Sequence, residues 1–141
     1  MSFELPDVFL IKYDSIDEEH HEIVACVNTL LDISENGSSD VFEDAFDHLI
    51  KMMEEHFRHE EKLMADVGYD GLKWHTAHHA ENLVSLRELY ETCLKKGKVE
   101  TADIYFCFDH LIKDVAQADL RFSEFLQIKS TRNQNGDLDQ E

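Results

Sequence analysis

Phe46, Leu49, Met53, His56, Glu60, Leu63 and Val67 follow one another at alternating intervals of three and four residues. That alternation is the period of a helix with one buried face. The same spacing runs through Leu72, His75, His79, Asn82, Leu86, Leu89 and Cys93, and through His20, Val24, Val27 and Leu31. Between these stripes lie NGSSD (36–40), VGYDG (67–71) and the lone Gly97 in KKGKVETAD, all turn-forming sequences. The pattern predicts helices over Asp17–Ile33, Asp40–Asp66, Leu72–Lys95 and Thr101–Ile128. Asp40 is the expected N-cap of the second, and Thr101 opens the fourth.

Long helices with short connections pack beside their neighbours with alternating direction, so the expected fold is all-α, an antiparallel up-down four-helix bundle. The only proline, Pro6, precedes every helix. Val8, Phe9, Leu10, Ile11 and Tyr13 are apolar but lie ahead of the first helix, and are expected to pack across the bundle as an N-terminal arm. The expected organisation is one domain over residues 1–141: an arm to about residue 16, a bundle to about 128 and a polar tail beyond.

Composition narrows the function classes. A hydrophobic content of 43% excludes a disordered chain. Acidic residues outnumber basic ones by 31 to 13, and a net charge of −18 opposes nucleic acid or an anionic membrane as partner. No apolar run reaches membrane-spanning length, and MSFELPDVFLIKYD lacks the basic start of a signal peptide, so a cytoplasmic protein is expected. Cys26, Cys93 and Cys107 are odd in number and widely spaced, which suits buried free thiols.

The stripes carry ionisable residues where a bundle wants apolar ones. His20 sits near the start of the first helix, His56 and Glu60 toward the end of the second, His75 and His79 near the start of the third. Asp114 and Asp119 fall in the second half of the fourth, on or beside the face of Leu111, Val115, Ala118 and Phe122. Up-down order brings these places to one end of the bundle. Buried carboxylates repel one another, and a pair of metal ions removes that problem. Mixed imidazole and carboxylate donors suit iron, manganese or zinc. His21, His48, His59 and His78 fall off the stripes and are expected in solvent. A ferritin-like centre would need Glu-x-x-His on two helices, and only Glu18 and His21 have that spacing.

IDEEH (16–20), HFRHEEKLM (56–64), HTAHH (75–79) and DLRFSEFL (119–126) together resemble hemerythrin-like domains of the bacterial type, over roughly residues 8–126. The resemblance implies two iron ions in a non-haem, oxo- or hydroxo-bridged centre. One iron would be held by His20 and His56, the other by His75, His79 and a ligand from the last helix, with Glu60 and Asp119 bridging. The iron with two histidines would keep an open position for dioxygen. The last helix departs from the family's His-x4-Asp: Asp114 stands in the histidine position, and His110 stands where a tryptophan is usual. Asp114 is the expected ligand, and His110 its supporting partner or the alternative ligand. An anionic donor favours ferric iron and should shorten the life of an oxygenated form.

The resulting expectation is a dioxygen-binding protein for sensing, storage or delivery, and not an enzyme. Alternatives are a di-iron enzyme or scavenger acting on peroxide, nitric oxide or oxygen, and an iron-handling module. A sensing role would need a separate signalling partner. The sequence leaves the oligomeric state open.

Overall fold

In the computed structural model, residues 3, 14–36, 42–112 and 118–129 are described. Helix α1 spans Asp14–Asn36, α2 Phe42–Asp66 and α3 Leu72–Lys96. Helix α4, Thr101–Phe106, passes into a π-helical stretch, Cys107–Ile112. Residues 118–129 form α5. The fold is all-α, a four-helix bundle with an N-terminal arm, and no strand occurs among the described residues. Helix α1 packs on α2, α2 on α3, and the segment from α4 through the π stretch returns against α1 and α3. No helix of the described residues is long and apolar enough to cross a membrane.

The first three elements agree with the stripes, and α1 begins at Asp14 rather than Asp17. The predicted Asp40 cap lies outside the described residues. The fourth predicted helix is not a single regular α-helix, because the π stretch interrupts it. A π turn takes an extra residue into each turn, and a 3.6-residue period cannot reveal it. Thr101 does open α4, with Glu100 and Asp103 capping each other's backbone.

Two turns rely on glycine. Gly68 (φ 70°) sits where α2 ends, and Gly97 (φ 73°) closes α3. This left-handed region disfavours residues with a Cβ. The Gly97 N–H donates to the carbonyl of Cys93 at 2.8 Å, and Lys98 N–H donates to the same carbonyl at 3.2 Å. The turn at Gly68 is short, so the end of α2 and the start of α3 lie side by side.

Val8, Phe9, Leu10, Ile11 and Tyr13, expected to pack across the bundle, lie outside the described residues; Phe3, ahead of them, is described and docks on the bundle. Its N–H donates to Asn28 Oδ1 at 2.6 Å, Asn28 Nδ2 donates back to its carbonyl at 2.9 Å, and its ring stacks on Phe108 at 4.2 Å.

The core is divided. A large apolar cluster is built on Ile23, Val27, Leu30, Phe46, Leu49, Met53, Phe57, Leu86, Ile104 and Cys107. A small one joins Ile16, Met64 and Phe122, with Val67, Tyr69 and Leu72 packed on it. The stripe of α2 also drifts. After Glu60 the buried position is Met64, while Leu63 and Val67 are only half-buried. A real helix advances about 20° per heptad against a strict seven-residue repeat, and that drift moves the buried face onward. Cys93 and Cys107 are buried free thiols, as expected; Cys26 is half-buried instead, its Sγ 3.1 Å from Met52 Sδ beside a surface cleft between α1 and α2.

Candidate metal centre

Between the two apolar clusters lies a polar layer. On α1 it is His20, flanked by Ile16 and Ile23; on α2, His56 and Glu60, flanked by Met53 and Met64. On α3 it is His75 and His79, and on α5 Asp119, one residue past Ala118 and one turn before Phe122. All are buried: Glu60, His75 and Asp119 have no exposed surface at all. Helices α1, α2, α3 and α5 supply these residues at core positions, so the bundle carries them inward as it folds.

The donor atoms form two overlapping groups. One is His20, His56, Glu60 and Asp119; the other is Glu60, His75, His79 and Asp119. Glu60 and Asp119 belong to both. The sequence-predicted His20, His56, Glu60, His75, His79 and Asp119 are thus brought together. The side chain of His110 and the whole of Asp114 lie outside the described residues. Of the other histidines, His21, His48 and His59 are exposed as expected. His78 is half-buried instead, stacked on Trp74 at 4.8 Å, because Trp74 one turn earlier covers its face.

The outer ring nitrogens decide what faces inward. His56 Nδ1 is 3.1 Å from a Glu19 carboxylate oxygen, and His79 Nδ1 is 2.8 Å from Glu61. His75 Nε2 is 3.0 Å from the carbonyl of Ala118. A carboxylate or carbonyl only accepts, so each of these nitrogens carries the proton and donates. In the neutral rings, the other nitrogen then turns a bare lone pair into the layer. His56 Nε2 meets His20 Nε2 at 3.0 Å, and His79 Nε2 meets His75 Nδ1 at 3.1 Å and Glu60 Oε1 at 3.1 Å. His20 Nε2 is 2.8 Å from Asp119 Oδ2. Asp119 Oδ1 is buried without a hydrogen-bond partner, and the close approaches of His20 to Asp119 Oδ2 and of His56 to Glu60 Oε2 at 3.3 Å lack hydrogen-bond geometry. Converging acceptors with too few protons between them are what a cation neutralises.

Without a cation the layer has to hold protons. Burial and the neighbouring Glu60 charge push the Asp119 carboxyl well above its usual range. Burial opposes the Glu60 charge as well, but the adjacent His56, His79 and Asp119 side chains outweigh it and hold that carboxyl low. The two carboxyls therefore titrate as a pair that holds its first proton more tightly than an isolated carboxyl would. Burial also disfavours the His56 cation, yet bonds to Glu19 and Glu60 raise it to about 9. Burial and the adjacent His56 lower His20 to about 4.

These placements, helix by helix, agree with what the whole sequence matches. Residues 12–122 match the hemerythrin HHE cation binding domain. The chain belongs to the hemerythrin family. A myohemerythrin of Riftia pachyptila is 27% identical, over 86% of this chain and 97% of its own length. A myohemerythrin of Sipunculus nudus is likewise 27% identical, over 86% of this chain and 97% of its own. A myohemerythrin of Theromyzon tessulatum is 24% identical, over 86% of this chain and 97% of its own. Identity this low leaves the fold and a cation-binding centre as the shared content, and this hemerythrin-family chain has two His/Glu/Asp groups able to chelate metal.

Glu19, Glu61 and Phe57 were not singled out from the sequence. Phe57 stacks flat on His79, with ring centres 3.9 Å apart and planes 6° off parallel. One signal existed for the two carboxylates: each directly precedes or follows a layer residue, Glu19 beside His20 and Glu61 beside Glu60.

Proposed function

We propose that the layer holds a non-haem di-iron pair, oxo- or hydroxo-bridged, and that the protein binds dioxygen or a related small ligand for sensing, storage or delivery, without turning over a substrate. The observation that carries this is the sharing of Glu60 and Asp119 by two groups of lone pairs inside an apolar sandwich. His20 and His56 would hold one ion and His75 and His79 the other, with Glu60 and Asp119 reaching both. Asp114, or His110 in its place, would supply a further donor from the last helix. When bound, ferrous iron supplies the electrons and the open position that dioxygen binding requires.

The chain's own contribution is placement and exclusion. Met53 and Phe57 close the layer on one side, and Ile16, Met64 and Phe122 on the other. Few waters or buffer anions can compete in a site so enclosed, and charges interact more strongly there. Carboxylates and imidazoles together accept iron in either common oxidation state.

Metal analysis with an anaerobic oxygen titration tests the reading. The expected result is two irons per chain and an absorption band that appears with oxygen and disappears when oxygen is removed. Sustained turnover of peroxide or nitric oxide without a reversible band would move the protein to the enzyme class. One iron per chain after full loading would sink the di-iron centre.

A further inference from the structure

Glu19 and Glu61 occupy equivalent places on opposite sides of the polar layer. Glu19 accepts from His56 Nδ1 with one oxygen, and its other oxygen is bonded by His59. Glu61 accepts from His79 Nδ1 at 2.8 Å, and Thr76 Oγ1 donates to its other oxygen at 3.3 Å. Each carboxylate is thus gripped from the solvent side by a second side chain, which fixes the oxygen turned toward the histidine. Neither acid is itself in the layer: Glu19 is 23% exposed and Glu61 28%.

The two metal groups receive one such carboxylate each. His56 belongs to the first group and His79 to the second. The remaining histidines are held differently: His75 donates to a neutral backbone carbonyl, and His20 Nδ1 is buried without a hydrogen-bond partner. Glu60 and Asp119 inside the layer, with Glu19 and Glu61 behind it, place carboxylates both around and behind the two cation positions. A carboxylate behind an imidazole fixes its tautomer and orientation and strengthens its donor nitrogen.

We propose that Glu19 and Glu61 are positioning residues, one for each metal position, acting through His56 and His79 to fix the inward lone pair and to add negative charge behind each donor. This rests on the di-iron reading. It assigns the two ions different dependences on two separate surface-accessible carboxylates.

The test is anaerobic titration of the metal-free protein with ferrous iron against a competing chelator, for wild type, E19Q, E61Q and the double variant. E54Q is the control, since Glu54 pairs with exposed Arg87 at 2.7 Å and touches no layer histidine. Glutamine keeps an acceptor oxygen but removes the charge. Each single variant should weaken one of the two binding steps by about 10–100-fold, and the double variant both. The reduction potential of the loaded protein should rise in E19Q and return toward wild type in E19D, which keeps the charge. Helicity of the metal-free variants checks folding, and E61Q carries the test independently if E19Q does not fold. Binding and potentials equal to E54Q in both variants would overturn the assignment while leaving the di-iron centre intact. Failure of wild type to bind two ions would overturn both.

Discussion

Asp119→Asn should stabilise the metal-free protein while destabilising the metal-loaded one. Asp119 is fully buried beside Glu60, and its carboxyl is raised by burial and by that neighbour's charge. A raised folded value means that folding takes up a proton. The contribution is complete below the unfolded value, near 4 for an aspartate, and is lost as pH rises through the folded one. Over that window stability falls by about 1.4 kcal/mol per pH unit. Asparagine carries its N–H donor permanently and can offer it to Glu60 without taking a proton, so this part of the slope disappears. His56 adds a slope of the same sign to both proteins, so their difference isolates Asp119. With metal the order inverts. Binding at 1,000 times Kd contributes about 4 kcal/mol per site, and the variant forfeits much of that by losing a donor common to both groups. For a chain of this length, 1 kcal/mol corresponds to about 3–5 °C in Tm. The assay is thermal unfolding by circular dichroism, from pH 5 to pH 8, with chelator and with ferrous iron under anaerobic conditions. If chelated Asp119→Asn melts at or below wild type at pH 7, with the same pH slope, the buried pair shares no proton and the argument is wrong.

Metal affinity should rise by at least about tenfold per pH unit through neutrality and level off near pH 9, because His56, and Asp119 wherever it holds a proton, must release it to bind; isothermal titration in buffers of different ionisation enthalpy would count the protons leaving. The same group sets the sign for the metal-free fold: stability from His56 is complete below about 6.5 and is lost as pH passes about 9, which urea midpoints at pH 6, 8 and 10 would follow. Phe57→Ala should cost about 3–5 kcal/mol in urea unfolding, as expected for a buried phenylalanine, and should loosen metal binding through the unstacked His79 ring; unchanged affinity in a folded variant would refute the second effect. Asp114→His, which restores the histidine of the family pattern, should slow autoxidation of iron-loaded protein, and an unchanged or faster rate would remove the anionic-donor explanation.

His56, Glu60, His75 and His79 could be read as inward-facing from spacing alone, because a residue's face on a helix is a local property of the 3.6-residue period. The same logic made the bundle legible from four stripes and two glycine turns. It could not register α2 against α5, so that Glu60 and Asp119 meet was an inference from topology until the packing brought them together. Nor could it reveal the π stretch at Cys107–Ile112, which depends on how backbone bonds shift within the packed bundle. The roles of Glu19 and Glu61 were hidden for a related reason, although each adjoins a layer residue in sequence. They lie off the seam at the layer's edge, and their roles come from a bond to a histidine on another helix: His56 of α2 for Glu19 of α1, His79 of α3 for Glu61 of α2. Which residues point inward was written in the sequence; which of them touch, and which proton each must give up, was decided only where the helices pack.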